Sequence, residues 1–202
     1  MNREKIKNEA KKMIEGNLWT ILKPMLIVMI VLGFVDVISE KVLQDTFAGT
    51  MCSTLLSLAL MPLSYGLDVF ILKYVRKEQV DYDEIFKHYS KFVPIFLLGL
   101  LMSIFIGLWS LLFVIPGIIA AISYSQAMFI MIDGEEEPGA CIKKSKEMMY
   151  GYKWDYFVFM LSFFGWYLLC ALTFGIALVY VAPYVSVSEA LYYEELKKIT
   201  KN

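Results

Sequence analysis

Histidine and cysteine are scarce in this chain. His88 stands alone, and Cys52, Cys141 and Cys170 show no ligand spacing. That supply cannot build a zinc or iron–sulfur signature or a disulfide framework, so no metal and no cofactor are expected and the thiols read as structural. Charge is scarce too, with 19% of residues Asp, Glu, Lys or Arg. No glycine-rich phosphate loop, Ser/His/Asp arrangement or inward-facing pair of carboxylates is visible, so no catalytic residue is expected and the reading is non-enzymatic. The balance of 19 Lys+Arg against 20 Asp+Glu is uninformative, because along an apolar chain the placement of each sign matters more than the sum.

What is abundant is apolar surface. Hydrophobic residues make up 58% of the 202, and a mean hydropathy of +0.59 lies outside the range of soluble domains. A helix needs about 20 mostly apolar residues to cross the hydrocarbon of a bilayer. Leu18 to Ile38, interrupted by Lys23 and Asp36, and Met51 to Leu72, with Asp68 near its end, are each long enough to cross once. Phe92 to Ile132 holds 41 residues without Asp, Glu, Lys or Arg. As one helix it would be about 60 Å long, so it must cross twice, with Pro116-Gly117 as the break. Tyr156 to Ser188 has 33 uncharged residues and a turn signal at Thr173-Phe174-Gly175. The predicted fold is all-α: one polytopic membrane domain over 1–202, with six transmembrane helices arranged as three hairpins. The helices fall at about 18–38, 51–72, 92–114, 117–132, 156–172 and 176–193.

Seventeen of the nineteen basic residues fall in four segments: Arg3 to Lys12, Lys73 to Lys91, Lys143 to Lys153, and Lys197 to Lys201. If lysine and arginine mark the cytoplasmic side, both termini are cytoplasmic and the protein is a multi-pass component of the cell membrane. The first apolar run reads as a retained anchor, not a cleaved signal. Two of the basic segments have helical spacing of their own. In 1–17 the apolar Ile6, Ala10, Met13 and Ile14 share a face opposite lysines. In 133–155 Pro138 takes a first-turn position and Cys141, Ser145, Met148 and Met149 face inward. Both read as cytoplasmic amphipathic segments lying among anionic lipid headgroups, which makes nucleic acid an unneeded partner. Lys11 to Trp19 also echoes Lys146 to Trp154, identical at four of nine positions, and Trp19-Thr20 before Pro24 is matched by Tyr89-Ser90 before Pro94. These echoes predict three copies of an interfacial helix followed by a hairpin.

Polar residues at membrane depth are the functional candidates. Asp68 lies about a turn inside the second span, with Lys73 or Lys23 as the expected partner. Ser123, Tyr124, Ser125 and Gln126 cluster in the fourth span, and Ser64, Tyr65, Tyr184 and Ser186 fall on the other even-numbered ones. Interhelical hydrogen bonding is the simpler use of these groups. The sharper use is a polar path through Asp68, Tyr65, Ser123, Tyr124, Gln126 and Tyr184. Gly99, Ser103 and Gly107, spaced by four, form a small-residue stripe for helix packing.

Several stretches together resemble a known family. They are Lys11 to Asn17, Trp109 to Ile118 followed by Ser123-Tyr124-Ser125, Ser145 to Gly151 before Trp154, and Gly165-Trp166-Tyr167 with Pro183-Tyr184. The chain is similar over nearly its whole length to an uncharacterised bacterial family of integral membrane proteins of the domain-of-unknown-function type, DUF975-like. It is more loosely similar to the membrane domain attached to some glycerophosphodiester phosphodiesterases, although it has no room for their catalytic barrel. The resemblance implies a six-helix bacterial membrane protein and supplies no catalytic residue. The expected role is a helper or interaction subunit for lipids, other membrane proteins or a second copy of itself. The alternative is a small-molecule or lipid transporter using the polar path.

Overall fold

A computed structural model describes residues 1–42 and 47–200; the side chains at 36, 38–42, 47, 48 and 53 lie outside the described residues, and with them those of Asp36 and Lys41. Among the described residues every regular element is helical. Asn2 caps α1 (Arg3–Ile14) by accepting the Lys5 amide at 3.0 Å. Gly16, at φ 93°, ends it in the left-handed conformation that glycine adopts freely. The chain continues through α2 (Leu18–Val42), α3 (Phe47–Ala59) and α4 (Met61–Val75). Pro62 sits in the first turn of α4, where its missing N–H removes no hydrogen bond. A 3-10 segment, Tyr82–Lys91, then packs back along α4 so closely that a Cβ on Gly66 would lie 2.3 Å from the Ile85 carbonyl oxygen.

The long uncharged stretch divides into α5 (Phe92–Leu112), α6 (Val114–Tyr124) and α7 (Ala127–Ile132). With 21 residues, α5 is about 31 Å long, enough for one crossing. The reversal falls at Phe113, extended at φ −160° and ψ 151°, and not at Pro116-Gly117 as predicted. Pro116 belongs to the first turn of α6, where a proline is tolerated, and Gly117 lets α6 close on α5. A Cβ there would meet the Ser110 Oγ at 2.1 Å. After α8 (Pro138–Met148) come α9 (Lys153–Leu161) and α10 (Phe164–Leu172), separated at Ser162-Phe163. The turn predicted at Thr173-Phe174-Gly175 is present, with Phe174 at φ 50° and Gly175 at φ 86°, and leads into α11 (Leu178–Thr200).

Among the described residues, five helical stretches are long and apolar enough to cross a membrane: Leu18–Val35, Gly49–Val75, Tyr82–Leu112, Val114–Ile132 and Lys153–Leu172. The six apolar spans in three hairpins expected from the sequence are therefore corrected to five apolar enough to face lipid, while α11 returns the chain from the Phe174 turn to Lys197. The stretch at 176–193 is absorbed into α11, which carries Glu189, Glu194 and Glu195. The physical reason lies in where α11 sits. It packs against α1, α2, α4, α8 and α10, and Tyr184, Val187, Ala190, Tyr192 and Leu196 are fully buried. A helix enclosed by protein has no need of the all-round apolar surface that lipid demands. Lipid-grade surface is found instead on α5 and the ends of the bundle, where Leu111, Phe113, Ile115 and Phe174 are exposed.

Candidate functional site

Charged groups gather at one end of the bundle. Arg76, just past α4, reaches Asp133, just past α7, at 2.6 Å, and Glu194 of α11 at 2.6 Å through the same Nη2. Its Nε donates to the same Glu194 oxygen at 2.8 Å. Asp133 also accepts from the Tyr193 hydroxyl at 2.5 Å and from the Lys197 ammonium. Burial alone would raise the Asp133 pKa, but donation from Lys197, Tyr193 and Arg76 outweighs it and holds the carboxyl below its ordinary value. Further pairs join at the same end: Lys91 with Glu136 at 3.0 Å, Lys144 with Glu135, and Arg3 with Asp155 at 3.5 Å. All four basic segments of the sequence are thus linked at one pole. Asp133, Glu135, Lys144, Glu147, Tyr193 and Lys197 line an open cavity of about 650 Å³ there. Sequence reasoning missed this hub, since its members are 57 to 118 residues from one another across the pairs and no local spacing signals them.

The predicted polar path is divided among separate neighbourhoods. Tyr65 packs edge-on against His88 at 5.3 Å, beside Glu84, which pairs with Lys73 at 2.9 Å. Lys73 is therefore occupied, Lys23 is exposed, and Asp68 has no cationic partner among the described residues. The expected ion pair to Asp68 is absent. Its electrostatic neighbour is instead a second acid, Glu189 of α11, which sequence reasoning passed over because the uncharged run ends one residue before it.

Ser123, Gln126 and Ser145 form a different cluster that fastens α8 across the α6–α7 break. The Ser145 hydroxyl donates to the Ser123 carbonyl at 2.8 Å and accepts the Gln126 amide at 3.2 Å. Ser123 Oγ donates to Ile119 O at 2.6 Å, and Gln126 Nε2 to Ser125 Oγ at 2.8 Å, while Gln126 Oε1 is buried with no partner among the described residues. Tyr124 packs against Phe105. Tyr184 lies elsewhere again, among Phe163, Trp166 and Tyr180 and beneath Lys11. Of the small-residue stripe, Gly99 is in close contact, since a Cβ there would meet Met61 Cε at 2.6 Å. Ser103 and Gly107 face outward.

The third neighbourhood lies between α1 and α9. Ile6, Ala10 and Ile14 are buried against the bundle, and the polar face of α1 borders an open groove of about 800 Å³. Arg3, Lys7, Asn8 and Lys11 line it with Ser162 and Tyr184. Lys7 donates to Ser162 Oγ at 3.0 Å and stands 5.0 Å over the Phe163 ring.

A family model described as a protein of unknown function, DUF975, matches residues 1–123 and 111–200, which together cover nearly the whole chain. No curated protein and no solved structure matches, and the looser likeness to the phosphodiesterase membrane domain finds no support in these results. The chain belongs to the DUF975 family of proteins of unknown function.

Proposed function

We propose that the protein is a non-enzymatic, multi-pass component of the bacterial cell membrane, a helper or interaction subunit whose charged pole faces the cytoplasm. The observation that carries this reading is the composition of that pole. Beside the paired charges, Tyr150 and Trp154 stand exposed next to Lys146 and Lys153, where α8 turns into α9. Exposed aromatic rings among lysines suit a membrane boundary or a partner's surface, where an apolar body and a polar edge are both satisfied. The excess of lysine and arginine supports the cytoplasmic assignment.

A transporter is the second reading, favoured by one observation: Asp68 lies inside the bundle with no cationic partner among the described residues, and Glu189 of α11 is its charged neighbour. Carboxyl pairs at such depth mark ion and proton routes in other membrane proteins. Reconstitution of the purified protein alone separates the two. The helper reading expects no solute or lipid flux above that of empty vesicles. Robust flux that Asp68→Asn or Gln126→Ala abolishes would establish the transporter and reject the helper.

A further inference from the structure

The groove between α1 and α9 is basic, roomy and incompletely satisfied. Arg3 is paired with Asp155, but Lys7 and Lys11 have no carboxylate partner among the described residues. Their ammonium groups rest on rings: Lys7 over Phe163 at 5.0 Å, and Lys11 at 5.9 Å from both Trp166 and Tyr184. Burial, and then the neighbouring charge of Lys11, lower the pKa of Lys7, so the two cations repel where an anion would relieve both. Tyr184 lines the same groove, fully buried, with a hydroxyl that has no hydrogen-bond partner among the described residues. A buried donor left unmade is costly and calls for an acceptor. Glu4 also borders the groove and sets a limit on how much negative charge it accepts. A phosphodiester, with one negative charge and several acceptor oxygens, meets these terms. Beyond the groove α9 and α10 expose Leu161, Phe164 and Leu168, an apolar surface suited to acyl chains.

We propose that the α1–α9 groove is a binding site for the headgroup of an anionic phospholipid, with Lys7 and Lys11 neutralising the phosphate and Asn8 and the Tyr184 hydroxyl donating to its oxygens. The proposal needs the membrane placement but not the helper reading, and the flux experiment above does not bear on it.

The test uses the full chain in detergent, titrated with phosphatidylglycerol, phosphatidylcholine and inorganic phosphate, with retained lipid read by native mass spectrometry. Phosphatidylglycerol is expected to bind about tenfold or more tighter than phosphatidylcholine, and K7Q/K11Q is expected to erase that preference. Tyr184→Phe weakens binding several-fold, while Lys143→Gln on the exposed face of α8 leaves it unchanged. Equal binding of the two lipids overturns the proposal, as does a preference that survives K7Q/K11Q or falls equally with Lys143→Gln. Displacement of the lipid by inorganic phosphate at similar concentration would make the site one for a free anion. Should the double variant not fold, a photoactivatable anionic phospholipid on the wild type decides. Crosslinks at residues 1–11 or 158–162 support the site, and crosslinks confined to other segments reject it.

Discussion

Asp133 is the residue on which the charged pole converges, holding Arg76, Tyr193 and Lys197 at once. Its folded pKa is depressed, so its contribution is fully present above the ordinary aspartate pKa and is lost as pH falls through the lower folded value. The melting temperature of the wild type should therefore drop as pH falls below about 4. Asp133→Asn should flatten that limb and cost about 1–3 kcal/mol at neutral pH, the range for hydrogen bonds to a charged group at a partly screened site. Gly66 makes a second prediction. A methyl group there runs into the Ile85 backbone, which cannot swing aside, so Gly66→Ala should destabilise by about 1–3 kcal/mol. Gly107→Ala, with open space around it, should not destabilise, and thermal melts of the two variants make the comparison. Single residues were the least legible part of the sequence. Asp68 stood out as a charge inside an apolar run, but its expected partner Lys73 is taken by Glu84, and that choice depends on how the 3-10 segment folds back along α4.

Elements were more legible where length and glycine dictate them. The echo between Lys11 to Trp19 and Lys146 to Trp154 corresponds to shared geometry: Gly16 and Gly151 are both left-handed, at φ 93° and 83°, and each closes a helix just before the next apolar one. A second echo is an interval whose meaning depends on the packing of α4 against α11. Asp68 follows Pro62 on α4 at the interval by which Glu189 follows Pro183 on α11, and Glu189 is the charged neighbour of Asp68. The interruptions at Ser125-Gln126 and Ser162-Phe163 were not legible, because neither carries a proline and nothing local stops the helix. At the first of these, the Ser145 hydroxyl from α8 takes a backbone amide and a carbonyl that a continuous helix would have used internally. Ser145→Ala should therefore loosen α8 by about 1 kcal/mol or more. Faster amide exchange confined to residues 138–148 and 123–127 is the expected signature, and unchanged exchange there would mean that apolar packing of Cys141 and Ile142 suffices.

At the scale of the molecule, the bundle is a set of apolar helices around an enclosed α11 with its charge collected at one pole. The membrane character and the clustering of basic segments could be read directly, because they depend on composition and order along the chain. The fate of the last helix could not, because hydropathy does not distinguish a helix facing lipid from one facing protein. Cysteine accessibility on intact cells tests the proposed placement most directly. In a background with Cys52, Cys141 and Cys170 replaced by serine, single cysteines go in at Gly134, beside the charged pole, and at Phe174, the fully exposed tip of the α10–α11 turn. A membrane-impermeant maleimide should label position 174 on intact cells and position 134 only after lysis. Labelling of position 134 on intact cells, with 174 protected, would contradict a cytoplasmic charged pole.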